Sequence, residues 1–131
     1  MPVYASTDDF YTVMRALFQR MLAEGRLNQV DAKLRIYLTI SQPAAHVLIN
    51  TRTAPPTVTF GPANGPFDLE VGMTGDTIHA LWLRRMGVRE ALAHGRIKLK
   101  GLPTRAIALK PIFDAAGELH PAVLAEQGRT P

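Results

Sequence analysis

Four histidines, His46, His79, His94 and His120, are the residues best suited to acid-base or metal chemistry, yet their spacing supports neither. No two form an H-x-H or H-x-x-x-H pair, and the sequence has no cysteine to complete a metal site. Asp76 and His79 stand three residues apart, so a helix would let them touch as an acid-base couple. The same spacing suits an acid at a helix N-terminus with an exposed histidine beside it, which is the simpler reading. The two serines, Ser6 and Ser41, do not sit in a nucleophile elbow. Gly61 and Gly65 flank prolines, lack a lysine partner and do not open a helix, so they read as turn residues and not as a phosphate-binding loop. These residues lead to the expectation of no catalytic residue, metal or cofactor.

Charge supplies a second candidate chemistry. The 131 residues carry 15 Lys and Arg against 11 Asp and Glu. The excess is concentrated in Arg84, Arg85, Arg89, Arg96, Lys98, Lys100, Arg105 and Lys110, a stretch whose only acid is Glu90. Arg96, Lys98 and Lys100 alternate with Ile97 and Leu99, so a strand would put the three cations on one face. They are the candidates for contact with an anionic membrane or a phosphate group. A solvated strand face accounts for them equally well. Nucleic acid fits less well, because a sheet that reads single strands needs aromatic rings beside its cations. Tyr37 is the one ring on an expected exposed strand face.

Several elements must position these residues. Ser6 and Thr7, then Asp8 and Asp9, precede apolar positions Phe10, Val13, Met14, Leu17, Phe18, Met21 and Leu22, and Gly25 follows. A hydroxyl cap, acids in the first turn and i, i+3, i+4 spacing predict an amphipathic helix ending near Glu24. From Lys33 the period changes to two. Strands are expected at residues 34–41, 46–51, 57–60 and 67–73, joined by short connections rich in proline and glycine. Connections this short predict an antiparallel meander. Thr74 or Asp76 then caps a helix with Ile78, Leu81, Trp82 and Arg85 on one face, which Gly87 interrupts before a further turn at Val88 to Ala93. A strand follows up to Gly101, and then a helix from Pro103 that Pro111 should end or kink near Lys110. Asp114 to Gly117 reads as a turn, and Pro121 to Gln127 as a short terminal helix.

The second half of the chain resembles the sterol carrier protein type 2 family. Asp68 to Leu83, D-L-E-V-G-M-T-G-D-T-I-H-A-L-W-L, is similar to that family's strand running into a threonine and a helix around a leucine pair. Glu90 to Gly101, E-A-L-A-H-G-R-I-K-L-K-G, is similar to its helix, glycine and basic-apolar strand. Ala106 to Leu109 matches the small, apolar helix that follows. The match covers residues 67–113, and the first half agrees only in pattern. Arg85 to Arg89 replaces the family's glycine-lysine-leucine-asparagine-proline segment, and the end, Arg129-Thr130-Pro131, is not a peroxisomal address.

The resemblance implies an α+β fold, a five-stranded and largely antiparallel sheet with helices over one face and an apolar tunnel between them. It also implies non-enzymatic binding of a sterol, fatty acid or acyl-coenzyme A. The residues expected to line the tunnel are Met14, Phe18, Phe60, Met73, Leu81, Trp82, Leu109 and Phe113, each of which would serve equally as core. An accessory module with a filled tunnel, working as a homodimer beside a lipid-modifying enzyme, is the alternative. With 47% hydrophobic residues, no cysteine, no signal-like start and no membrane-length run, the chain is expected to be one cytoplasmic domain over residues 1–131.

Overall fold

The computed structural model describes residues 4–29, 33–101 and 109–129. Helix α1 spans Thr7–Ala23, and the Ser6 hydroxyl caps it by accepting a hydrogen bond from the Asp9 N–H at 3.1 Å. Its apolar stripe, Phe10, Val13, Met14, Leu17, Phe18 and Met21, is fully buried. Burial of each large side chain contributes on the order of 1.5–3 kcal/mol. A 3-10 turn at Arg26–Gln29 follows.

Strands β1 (Arg35–Ser41), β2 (Ala45–Asn50), β3 (Thr57–Phe60), β4 (Leu69–Thr74) and β5 (Lys98–Gly101) form one sheet in the order β3-β2-β1-β4-β5. Ile36, Leu38, Ile40, Val47, Ile49, Leu69, Val71 and Met73 join the helices in one core, so the helices cover one face. Thr39, Ser41, Thr57, Thr59, Lys98 and Lys100 are exposed on the other face. The fold is therefore α+β with a largely antiparallel sheet, as expected.

The meander is corrected in one place. β4 does not pair with β3 but runs parallel to β1, with Ile36 opposite Leu69 and Ile40 opposite Met73. The cause lies in the connection before β4. Asp68 accepts the Arg35 N–H at 2.8 Å and donates its own N–H to the Arg35 carbonyl at 2.9 Å. The Arg35 guanidinium donates to the carbonyls of Pro66 at 2.6 Å and Asn64 at 3.1 Å. These bonds tie the end of the connection to the start of β1, so the chain passes β2 and enters on β1's free side. Its loop also covers Tyr37, which is 8% exposed and stacked between His46 and Phe67 with ring centroids 5.4 and 4.3 Å away. Tyr37 is thus not an exposed ring.

Helices α2 (Gly75–Trp82) and α3 (Val88–Ala93) fall where expected, and the Thr74 hydroxyl caps α2 by accepting the Thr77 N–H at 3.1 Å. The last helix is corrected. Residues 102–108, where it was expected to begin, lie outside the described residues. Helix α4 instead runs unbroken over Leu109–Glu126, through both the expected stop and the expected turn. Pro111 is the third residue of the described helix, and a proline in a helix's first turn costs little because the first N–H groups have no intrahelical acceptor. Gly117 marks a close approach and not a turn, since a Cβ there would lie 3.0 Å from Arg84 Nε and 3.5 Å from the Trp82 carbonyl. Ion pairs Arg20–Glu126 at 2.5 Å, Arg26–Glu118 at 2.6 Å and Arg129–Asp9 fasten α4 to α1 and the turn after it. Exposed pairs of this kind are worth little energy, but they fix register.

Candidate functional site

All eight residues expected to line a tunnel meet in the single core between sheet and helices. Met14 and Phe18 come from α1, Leu81 and Trp82 from α2, Leu109 and Phe113 from α4, Met73 from the end of β4, and Phe60 packs in from edge strand β3. The Phe18 ring stands 6.3 Å from Phe60 and 5.9 Å from Trp82, both edge to face. Leu81 and Phe113 also line a groove of about 270 Å³ that opens at the seam of α2 and α4, beside Arg84, Met86 and Val88. Met73 reaches a second concavity, about 410 Å³, on the outer face of the sheet with Thr39, Ser41, Thr74, Thr77, Arg96 and Lys98.

The basic residues occupy the sheet's edge. Lys98 and Lys100 stand opposite Gly72 and Glu70 on the outer face of β5, and Arg96 precedes the strand, exposed. Ile97 is buried and Leu99 half-buried, so the expected alternation holds. Gly101 closes the strand at φ 129°, with the Asp68 carbonyl only 2.7 Å from where a Cβ would be. Lysine on an unpaired edge also opposes strand-to-strand association.

A polar cluster inside the apolar core had no clear sequence signal. His79 is 3% exposed, not the surface histidine expected beside Asp76, because α2 is covered by both β4 and α4. His120 is 0% exposed, and its Nε2 lies 3.3 Å from His79 Nδ1 across the α2–α4 seam. The Tyr4 ring is 5.9 Å from His79, and the Trp82 ring is 5.6 Å from His120. Burial, and then the neighbouring His79, push His120 down to about 4. His79 is lowered by burial and by Arg85, against an opposing pull from Asp76. Once α4 is one helix, His120 falls seven residues after Phe113 on the same buried face, which is the signal that the expected turn hid. Among the described residues no group of three metal-ligating side chains gathers, and no helix is long and apolar enough to cross a membrane.

No family model matches the sequence, and no curated protein is similar enough in sequence to match it. Solved structures do match. Sterol carrier protein 2 from Yarrowia lipolytica, in its apo form, aligns with a TM-score of 0.63 at 16% identity, over 89% of this chain and 95% of its own. The sterol carrier protein domain 2 of Helicoverpa armigera aligns with a TM-score of 0.64 at 18% identity, over 82% of this chain and 87% of its own. Aedes aegypti sterol carrier protein 2, solved in complex with the C16 fatty acid palmitate, aligns with a TM-score of 0.59 at 14% identity, over 76% and 93%. Over most of its length, therefore, the chain adopts the sterol carrier protein 2 fold.

Proposed function

We propose that this protein binds a lipid in the core between its sheet and helices, with residues 1–131 acting as one binding unit without catalysis. The observation that carries the reading is the joint one of fold and composition. Met14, Phe18, Phe60, Met73, Leu81, Trp82, Leu109 and Phe113 come from five elements to one apolar region, in a fold whose similar structures include one holding palmitate. A sixteen-carbon chain would gain on the order of 12 kcal/mol gross at about 0.8 kcal/mol per methylene, less several kcal/mol for association and ordering. Micromolar binding therefore needs no charged site. A fatty acid, a sterol and an acyl-coenzyme A all meet this requirement. Arg96, Lys98 and Lys100 would assist by contacting an anionic membrane from which the ligand is taken.

Trp82, the only tryptophan, is buried within this region and reports on it directly. Titration of the full chain with palmitate is expected to shift or quench its emission saturably. Unchanged emission with palmitate, palmitoyl-coenzyme A and cholesterol alike would refute the reading.

One similarity favours a second reading. The sec-alkylsulfatase Pisa1 from Pseudomonas sp. matches 63% of this chain through only 12% of its own, at 20% identity and a TM-score of 0.52. In that enzyme the fold forms a small part of a larger protein, which supports an accessory role. As an accessory homodimer the chain would pair through the uncharged edge of β3, because β5 presents Lys98 and Lys100.

A further inference from the structure

We propose that the His79–His120 pair is a specificity site for the head of the bound lipid, selecting a neutral hydroxyl over a carboxylate or an ester. This rests on the reading that the core binds lipid.

The rings Tyr4, His79, His120 and Trp82 follow one another at centroid separations of 5.9, 5.3 and 5.6 Å. Tyr4 Oη, His120 Nδ1 and Trp82 Nε1 are all closed off from solvent and have no hydrogen-bond partner among the described residues. Cores leave few buried polar atoms unpaired, and three on neighbouring rings around one imidazole pair are a concentration that packing alone does not call for. Phe or Leu would fill the same space without the penalty.

The hydrogen-bonding capacities define the complement. The indole N–H only donates, and the phenol both donates and accepts. His120 Nδ1 accepts when its Nε2 donates to His79, and donates when its Nε2 accepts. A hydroxyl, which also donates and accepts, satisfies the pair in either tautomer. A carboxylate accepts only and brings a charge that an apolar interior opposes. An ester accepts only.

The groove lined by Leu81 and Phe113 opens on the α2–α4 seam, and Phe113 precedes His120 by two turns of α4, about 10 Å along its axis. An aliphatic body extending from the pair would leave along that seam toward the groove. Gly117, lying between them, keeps α4 close to the Trp82 carbonyl.

The test compares three sixteen-carbon probes delivered from cyclodextrin, 1-hexadecanol, palmitate and methyl palmitate, each titrated against the full chain and against His120→Phe. Wild type is expected to bind 1-hexadecanol about tenfold more tightly than methyl palmitate, the worth of one to two neutral hydrogen bonds. His120→Phe should lose that preference and keep its affinity for methyl palmitate. Equal wild-type affinity for the three probes, or an equal loss for all three in the variant, overturns the head site while leaving lipid binding intact. Failure of all three to bind wild type overturns the binding reading itself. A measurement on wild type alone covers a variant that does not fold. The imidazole nitrogen resonances of His79 and His120 should shift with 1-hexadecanol and stay in place with methyl palmitate. Identical spectra with the two probes would overturn the proposal.

Discussion

Lowering the pH from 7.5 to 5.0 should destabilise the protein through His120, and the size of the effect follows from its surroundings. Burial holds His120 at about 4, against an ordinary 6.5, so the fold keeps it neutral. The folded value lies below the unfolded one, so its stabilisation is complete above pH 6.5 and is lost as the pH falls toward 4. Proton linkage between those two values gives a loss of roughly 2 kcal/mol at pH 5 and about 3 kcal/mol at pH 4. His79, also lowered by burial, adds in the same direction. Asp9, lowered by its hydrogen bond from Arg129, loses its contribution only below the ordinary carboxylate range, so pH 5.0 to 7.5 isolates the histidines. Urea unfolding followed by far-UV circular dichroism reads the effect. With m of about 1–3 kcal/mol/M for a small protein, the midpoint should fall by roughly 0.7–2 M between pH 7.5 and pH 5.0. His120→Phe should remove most of that slope. A midpoint constant over the range, or an unchanged slope in His120→Phe, would refute the buried neutral pair.

Further outcomes are expected at named positions. Gly101→Ala should cost about 1–3 kcal/mol, because φ is 129° and the Asp68 carbonyl blocks the Cβ. Gly95→Ala, at φ 70° with open space, should cost only about 1 kcal/mol, and the two urea midpoints give the comparison. Asp68→Ala should cost about 1–3 kcal/mol by leaving the Arg35 N–H without its acceptor, and should raise amide exchange along the β1–β4 ladder before the β1–β2 ladder. Lys98→Glu with Lys100→Glu should abolish cosedimentation with phosphatidylserine vesicles, and wild-type binding should weaken steeply with salt. Salt-independent binding would return these lysines to edge protection.

The elements that the sequence foretold well are those set by local chemistry. Ser6 and Thr74 cap their helices through their own hydroxyls, and the alternation of Ile36, Leu38 and Ile40 with polar neighbours needs only one strand to be seen. β3 was legible at its full extent because prolines and glycines bracket Thr57 to Phe60. What stayed hidden was non-local. The β1–β4 pairing depends on bonds between Arg35 and residues 64–68, about thirty positions away, and nothing in a strand's period specifies its neighbour. Pro111 reads as a stop, Asp114 to Gly117 as a turn and Pro121 as the start of a separate helix, yet α4 persists through all of them because its buried face packs along α1 and α2.

The candidate site divides the same way. Helical spacing alone puts Met14, Phe18, Leu81 and Trp82 on buried faces, the family resemblance is what marks them as tunnel lining, and the structure places them in one core. Tyr4, His79 and His120 could not, since their meeting requires α4 to be continuous and α2 to be covered on both sides. Polar residues carry little burial signal in sequence, because their cost inside depends on partners brought from elsewhere.

Occupancy of the core between sheet and helices by a lipid can be measured on the purified protein. Native mass spectrometry of the purified full chain, followed by organic extraction and remeasurement, tests it most directly. The expected result is a bound mass in the lipid range that extraction removes and that added palmitate or 1-hexadecanol restores at one molecule per chain. A chain that carries no such mass, before or after incubation with these lipids, would contradict it.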